Sequence, residues 1–185
     1  IEECSKLGIK VLAPCVNNSF EQFSVDGSNI RFGLLALKGI GKSLISSIVE
    51  EREKNGKYKD FEDFIYRLRE SDLNKRQVEA LIKVGAFSCF GKNRSQLLKV
   101  YELAVEGALS ITRATKDGQL DMSELMGEDS SESAIKIDYP NVPDFPQSEL
   151  LRMEKEIAGM FFSGHILDSY GKHVKELKPV RIIDV

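Results

Sequence analysis

The sequence predicts a mostly α chain with a small β element at its N-terminus. Three patterns carry that expectation. Residues 9–33 have strand character around a turn at Asp26-Gly27-Ser28. Apolar side chains then recur at helical spacing between 34 and about 112, and two apolar-Gly turns stand about 45 residues apart inside that block.

The elements follow in order. Ile9, Val11 and Leu12 run into Pro14, Phe20, Phe23 and Val25 lead to the turn, and Ile30-Arg31-Phe32 forms the return strand. Leu44, Ile45, Ile48 and Val49 make a helical stripe that stops near Asn55-Gly56. Asp60 caps a helix with Phe61, Phe64, Ile65 and Leu68 inward. Asn74, with Gln77 three residues on, has capping-box spacing and opens a helix with Val78, Leu81 and Ile82 inward. Gly85 closes that helix at the C′ position. Asn93 starts another, carrying Leu97, Leu98, Tyr101 and Ala104. Periodicity is lost over 113–147, where acidic and small residues give way to Pro140, Pro143 and Pro146, the composition of a linker. Ser148 is expected to cap a last helix with Leu150, Met153, Ile157, Met160 and Phe161 on one face. Gly159 then lies inside it, at a cost of about 1 kcal/mol against Ala, and Gly164 ends it. The chain divides at 1–33, 34–112, 113–147 and 148–185, the last leading into a further domain.

Of the 185 residues, 42% are hydrophobic and 30% charged, the composition of a globular chain with its own core. No apolar run approaches the ~20 residues of a membrane span. Cys4, Cys15 and Cys89 are unclustered in sequence and lack zinc-ligand spacing, which fits the cytoplasm. His165 and His173 are the only histidines, so a His-built metal site or triad is not expected. The chain opens at Ile1 without an initiator Met and reads as a piece of something larger. Charge is uneven. Residues 31–100 carry 15 Lys/Arg against 9 Asp/Glu, and residues 101–156 carry 5 against 13. A basic block beside an acidic one suggests one job near a polyanion and another away from it.

Leu37-Lys38-Gly39-Ile40-Gly41-Lys42-Ser43 is what a helix–hairpin–helix needs. Its glycines let backbone N–H groups face outward, and the next helix adds the positive end of its dipole. Gly41 is expected at a positive φ, with Lys42 and Ser43 adding phosphate contacts. Ile82-Lys83-Val84-Gly85-Ala86-Phe87, followed by Lys92-Asn93-Arg94, is a second such turn. With Lys75 and Arg76 between them, the two units predict a tandem module. It grips both strands of a duplex through phosphates and reads no sequence. The same glycines also suit plain turns between core helices. Gly41-Lys42-Ser43 is not the end of a nucleotide P-loop, because Ala36 stands where that motif needs glycine. Asn17-Asn18-Ser19 and Asn93-Arg94-Ser95 match glycosylation acceptors only by chance in a cytosolic chain, and His165 reads as a cap or packed side chain. No catalytic carboxylate pair stands out.

Several blocks then resemble one family. Gly8-Ile9-Lys10-Val11-Leu12-Ala13-Pro14, Val16-Asn17, Ser19-Phe20, Ile30-Arg31-Phe32-Gly33-Leu34 and Lys38-Gly39-Ile40-Gly41 are similar to the α subunit of bacterial DNA polymerase III. So are Asn74-Lys75-Arg76, Leu81-Ile82-Lys83-Val84-Gly85-Ala86-Phe87, Glu154-Lys155-Glu156, Gly159, Phe161 and Ser163-Gly164-His165. The family usually has proline where Ile166 stands. The resemblance implies the end of a fingers region, a tandem helix–hairpin–helix module and the lead-in to an OB domain. It places the catalytic aspartates and their Mg²⁺ elsewhere in the intact polymerase, so this piece needs no cofactor and does not polymerise alone. It implies primer–template duplex DNA and other replisome subunits as partners, with no membrane. A clamp-binding motif follows the module in the family. Here Gln119, Leu120, Met122 and Leu125 occupy that place, without the usual terminal Phe. Two other readings remain: a non-enzymatic helix–hairpin–helix adaptor of a repair complex, and a scaffold whose basic face meets an acidic protein.

Overall fold

A computed structural model describes residues 2–116 and 137–164. A short helix α1 (Glu2–Lys6) precedes strands β1 (Val11–Leu12), β2 (Ser24–Asp26) and β3 (Asn29–Arg31). The strands form one sheet in the order β1-β3-β2. β2 and β3 are an antiparallel hairpin with Val25 opposite Ile30, turned by Gly27 at φ 62°, and β1 runs parallel to β3. Arg31 ties the hairpin shut, its Nη2 2.6 Å from Asp26 Oδ2.

The helices are α2 (Lys42–Asn55), α3 (Phe61–Arg67), α4 (Lys75–Lys83), α5 (Arg94–Lys116) and α6 (Gln147–Ala158). Their expected caps are present: Asp60 accepts from the Asp63 N–H at 2.7 Å, and Asn74 accepts from the Gln77 N–H at 3.1 Å. α4 ends at Gly85, φ 80°. There the Gly85 N–H bonds Ile82 O and the Ala86 N–H bonds Leu81 O, both at 2.9 Å, the paired bonds of a Schellman motif. The inward faces meet in one core. Leu44, Ile45, Ile48, Phe61, Phe64 and Leu81 are fully buried, and Phe87 is nearly so. Phe87 meets the rings of Phe61 and Phe64 edge-on at 5.0 and 4.9 Å. Each such pair contributes about 0.5–1.5 kcal/mol beyond its buried area.

Three expectations fail here. α6 starts at Gln147, not at a Ser148 cap: the Pro146 carbonyl accepts from Glu149 and Leu150 N–H groups. The helix ends at Ala158 because Gly159 turns left-handed at φ 74°, so Met160 and Phe161 lie beyond it and the glycine terminates rather than weakens. Residues 137–146, expected as linker, are strapped across α3 and the start of α5. Tyr139 donates to Glu62 (2.7 Å), Gln96 to Pro140 O (3.0 Å) and Asn93 to Val142 O (2.9 Å). Proline spacing keeps this strap extended, which leaves its carbonyls open to side-chain donors.

Candidate nucleic-acid interface

The first hairpin turn leaves a 3₁₀ turn (Leu34–Ala36), plants Leu37 in the core, and re-enters it at Leu44. Between these anchors Lys38, Gly39, Gly41, Lys42 and Ser43 are exposed and Ile40 is half-buried. The positive φ falls on Gly39 (82°), not on Gly41, which is extended (φ −73°, ψ 145°) as the N-cap of α2. This corrects the sequence expectation: the chain reverses one residue earlier, so that Gly41 can enter the helix from an extended conformation. Gly41 has no side chain to cap with, and the first turn of α2 holds no acid. Lys42 stands there instead.

The turn is held from two sides. The Lys38 N–H donates to Ile157 O at the end of α6 (2.9 Å). From α4, Gln77 accepts from the Gly41 N–H (3.2 Å) and donates to Asp72 O (2.7 Å), in the amide orientation that satisfies both neighbours. Beside the turn lies a shallow cleft lined by Lys38, Gly39, Arg76, Glu79, Lys83 and Glu156. Lys83 pairs with Glu79 at 2.8 Å. Arg76 also faces a neighbouring depression with Asn74, Lys75 and Arg113. There Lys75 bridges Glu106 and Glu102, whose carboxylates hold its ammonium above the usual lysine range. Arg76 is exposed and has no ion-pair partner among the described residues. Gly39, Ile40, Gly41, Lys42, Ser43 and Arg76 therefore come together on one side. Lys38 and Gln77, which sequence reasoning missed, complete the group; a lysine directly before the glycine turn was the available signal for the first.

The second turn is closed, its backbone amides engaged within the fold. Ala86 and Val84 are fully buried, and the Ala86 carbonyl accepts from the Val16 N–H (3.0 Å). The Gly85 and Ala86 N–H groups serve the α4 cap. Arg94 does not face outward: its Nη1 donates to Lys83 O (2.9 Å) and its Nη2 bonds the buried Glu154 Oε1 (2.6 Å). A Cβ on Gly85 would sit 2.7 Å from that guanidinium. Asn93 caps α5 by accepting from the Gln96 N–H (2.8 Å). Lys92 is exposed, its Nζ 4.5 Å from the centroid of the Tyr139 ring. Gly85, Ala86, Asn93 and Arg94 thus make bonds and contacts within the fold. An apolar-Gly-apolar run suits a Schellman cap as well as a hairpin, and here the cap takes its amides.

Gln119, Leu120, Met122 and Leu125 lie outside the described residues. Among the described residues no group of three or more His, Cys, Asp and Glu side chains is placed to hold a metal ion. No helix among them is long and apolar enough to cross a membrane.

Residues 8–97, from β1 through the start of α5, match the helix-hairpin-helix motif family. Along nearly its whole length the chain is similar to proteins named DNA polymerase III subunit alpha. That of Saccharopolyspora erythraea is 37% identical over 91% of this chain and 14% of the relative. That of Borreliella burgdorferi is 36% identical over 99% of the chain and 16% of the relative. That of Deinococcus radiodurans is 35% identical over 100% and 14%. The chain belongs to the DNA polymerase III α-subunit family. It spans about one-seventh of the length of these relatives. The helix-hairpin-helix match covers both the exposed Gly39–Ser43 turn and the closed one at Gly85.

Proposed function

We propose that this chain holds primer–template duplex DNA for a DNA-synthesising polymerase III α subunit, gripping phosphates without reading sequence. The observation that carries the reading is the start of α2. A helix N-terminus behaves as about half a positive charge, so a cation in its first turn is unfavourable by roughly 0.3–1 kcal/mol. Lys42 in that turn, with Lys38 just before it and no acid or cap side chain present, is unfavourable unless an anion sits between them. A backbone phosphate satisfies the free amides, the dipole and both lysines together, with Arg76 adding a second contact. DNA synthesis itself belongs to the intact polymerase, as metal-assisted phosphoryl transfer with Mg²⁺ held by carboxylates outside this chain. The chain alone is inactive. It works in the cytoplasm among replisome subunits, and Gln119, Leu120, Met122 and Leu125 tether the sliding clamp.

Duplex titration at two salt concentrations tests the reading. The expected dissociation constant is on the order of 10⁻⁴–10⁻⁶ M near physiological salt, equal for unrelated sequences. Lys42→Ala and Arg76→Ala should each weaken binding evenly and flatten the log–log salt slope by about 0.9. Salt-independent binding, or variants indistinguishable from the parent, overturns it.

A further inference from the structure

Cys15 and Cys89 stand 74 positions apart in sequence, yet the fold brings them near enough that each perturbs the other's thiol. The approach is built rather than incidental. The Val16 N–H donates to Ala86 O (3.0 Å), which pins the turn after β1 onto the turn after α4. Asn17 is locked by two bonds to the Tyr58 backbone, both 2.9 Å, and its amide lies 3.8 Å from Cys89 Sγ. The Asn18 and Ser19 N–H groups donate to Cys15 O (3.1 and 2.8 Å), which fixes the turn that carries the Cys15 thiol. Cys15 is buried and Cys89 exposed, so the pair has an inner and an outer member.

We propose that Cys15 and Cys89 form a peroxide-responsive thiol pair, in which Cys15 is oxidised first and Cys89 closes an intramolecular disulfide. Interaction with Cys89 holds the Cys15 thiol below the ordinary thiol range against the opposing effect of burial, with the Asn17 and Asn18 amides and the Arg31 charge assisting. The lowered value favours the Cys15 thiolate, the form that reacts. The same interaction, with burial, pushes the Cys89 thiol up, so Cys89 is inert while Cys15 is reduced.

The steps balance. The Cys15 thiolate attacks one oxygen of hydrogen peroxide and the O–O bond breaks, giving Cys15 sulfenic acid and hydroxide. With the thiolate charge gone, the largest cause of the raised Cys89 pKa disappears. Cys89 loses its proton to that hydroxide, making the first water. Its thiolate then attacks the Cys15 sulfur and expels the sulfenic oxygen as hydroxide, which the proton released when Cys15 first ionised converts to a second water. Two thiols are oxidised to one disulfide, and one peroxide is reduced to two waters.

The test uses the whole chain, exposed to hydrogen peroxide, quenched with an alkylating agent and mapped by peptide mass. The expected product is a linked Cys15–Cys89 peptide pair lacking two hydrogens, with Cys4 alkylated. Cys89→Ser should instead leave a Cys15 sulfenic acid that dimedone traps, and Cys15→Ser should leave Cys89 as slow to oxidise as Cys4. Alkylation of Cys15 in the untreated chain should titrate at lower pH than alkylation of Cys89. Linkage through Cys4, linkage between two chains, or both thiols still alkylated after treatment overturns the proposal. Melting of each serine variant by circular dichroism separates lost chemistry from lost folding.

Discussion

Glu154→Gln tests the bond network that carries α6 against the hairpin turn. Glu154 is fully buried, and both of its oxygens are filled. Oε1 accepts from Arg94 Nη2 and Ser163 Oγ, each at 2.6 Å, and Oε2 accepts from the Phe162 and Ser163 N–H groups at 2.7 and 3.1 Å. Glutamine keeps the shape but turns one oxygen into a donor, which must face either two N–H groups or a guanidinium. Breaking a buried pair while its partner charge stays inside costs about 3–5 kcal/mol. Retained shape and one retained acceptor put this variant near the lower figure, about 3 kcal/mol. At about 2–4 °C per kcal/mol for a chain of this size, the melting temperature should fall by about 6–12 °C.

Low pH supplies the sharper half of this test. Burial pushes the Glu154 carboxyl up, but the bonds from Ser163, Arg94 and the two backbone amides outweigh it and hold the carboxyl below the usual range. A depressed folded-state pKa stabilises fully above the unfolded carboxylate value, about 4.3, and that stabilisation is lost as pH falls through the lower folded value. Urea denaturation followed by far-UV circular dichroism should therefore show the full gap between wild type and variant at neutral pH, narrowing below about pH 4. A neutral-pH gap under about 1 kcal/mol, or one that persists unchanged in acid, would refute the assignment of a buried, charged Glu154.

The two left-handed glycines should separate binding from folding. Gly39→Ala meets open space at φ 82° and should cost about 1–2 kcal/mol of backbone strain while weakening duplex binding. Gly85→Ala has the same strain plus a Cβ 2.7 Å from Arg94, so its denaturation midpoint should drop further than that of Gly39→Ala; equal drops would mean that Arg94 does not seal that turn. A synthetic peptide covering 115–128 should bind a cognate sliding clamp at micromolar concentration and lose binding with Gln119→Ala plus Met122→Ala. No binding by the parent peptide at millimolar concentration removes the tether.

Most helices were legible because their caps and stripes are local chemistry: Asp60, Asn74 and Gly85 each act within four residues of the backbone groups they satisfy. The buried charges were harder, yet not invisible. Arg52 continues the stripe of Ile45, Ile48 and Val49, and Glu154 sits among Leu150, Met153 and Ile157, so each occupies an inward position by spacing alone. What the spacing withholds is the partner, since Val16 and Ser19 for Arg52, and Arg94 for Glu154, arrive from far along the chain. The interaction between Cys15 and Cys89 was hidden for the same reason.

The two glycine turns teach the finer distinction. Both read apolar-Gly-apolar, and only one is open. The difference was written in the residue that starts the following helix. After the closed turn, Asn93 caps α5 with its own side chain, which accepts from the Gln96 N–H. After the open turn, Gly41 offers no cap and Lys42 places a cation where the helix dipole resists one. The start of α2 is therefore where the proposed phosphate contact is tested most directly, by Lys42→Ala in the duplex titration.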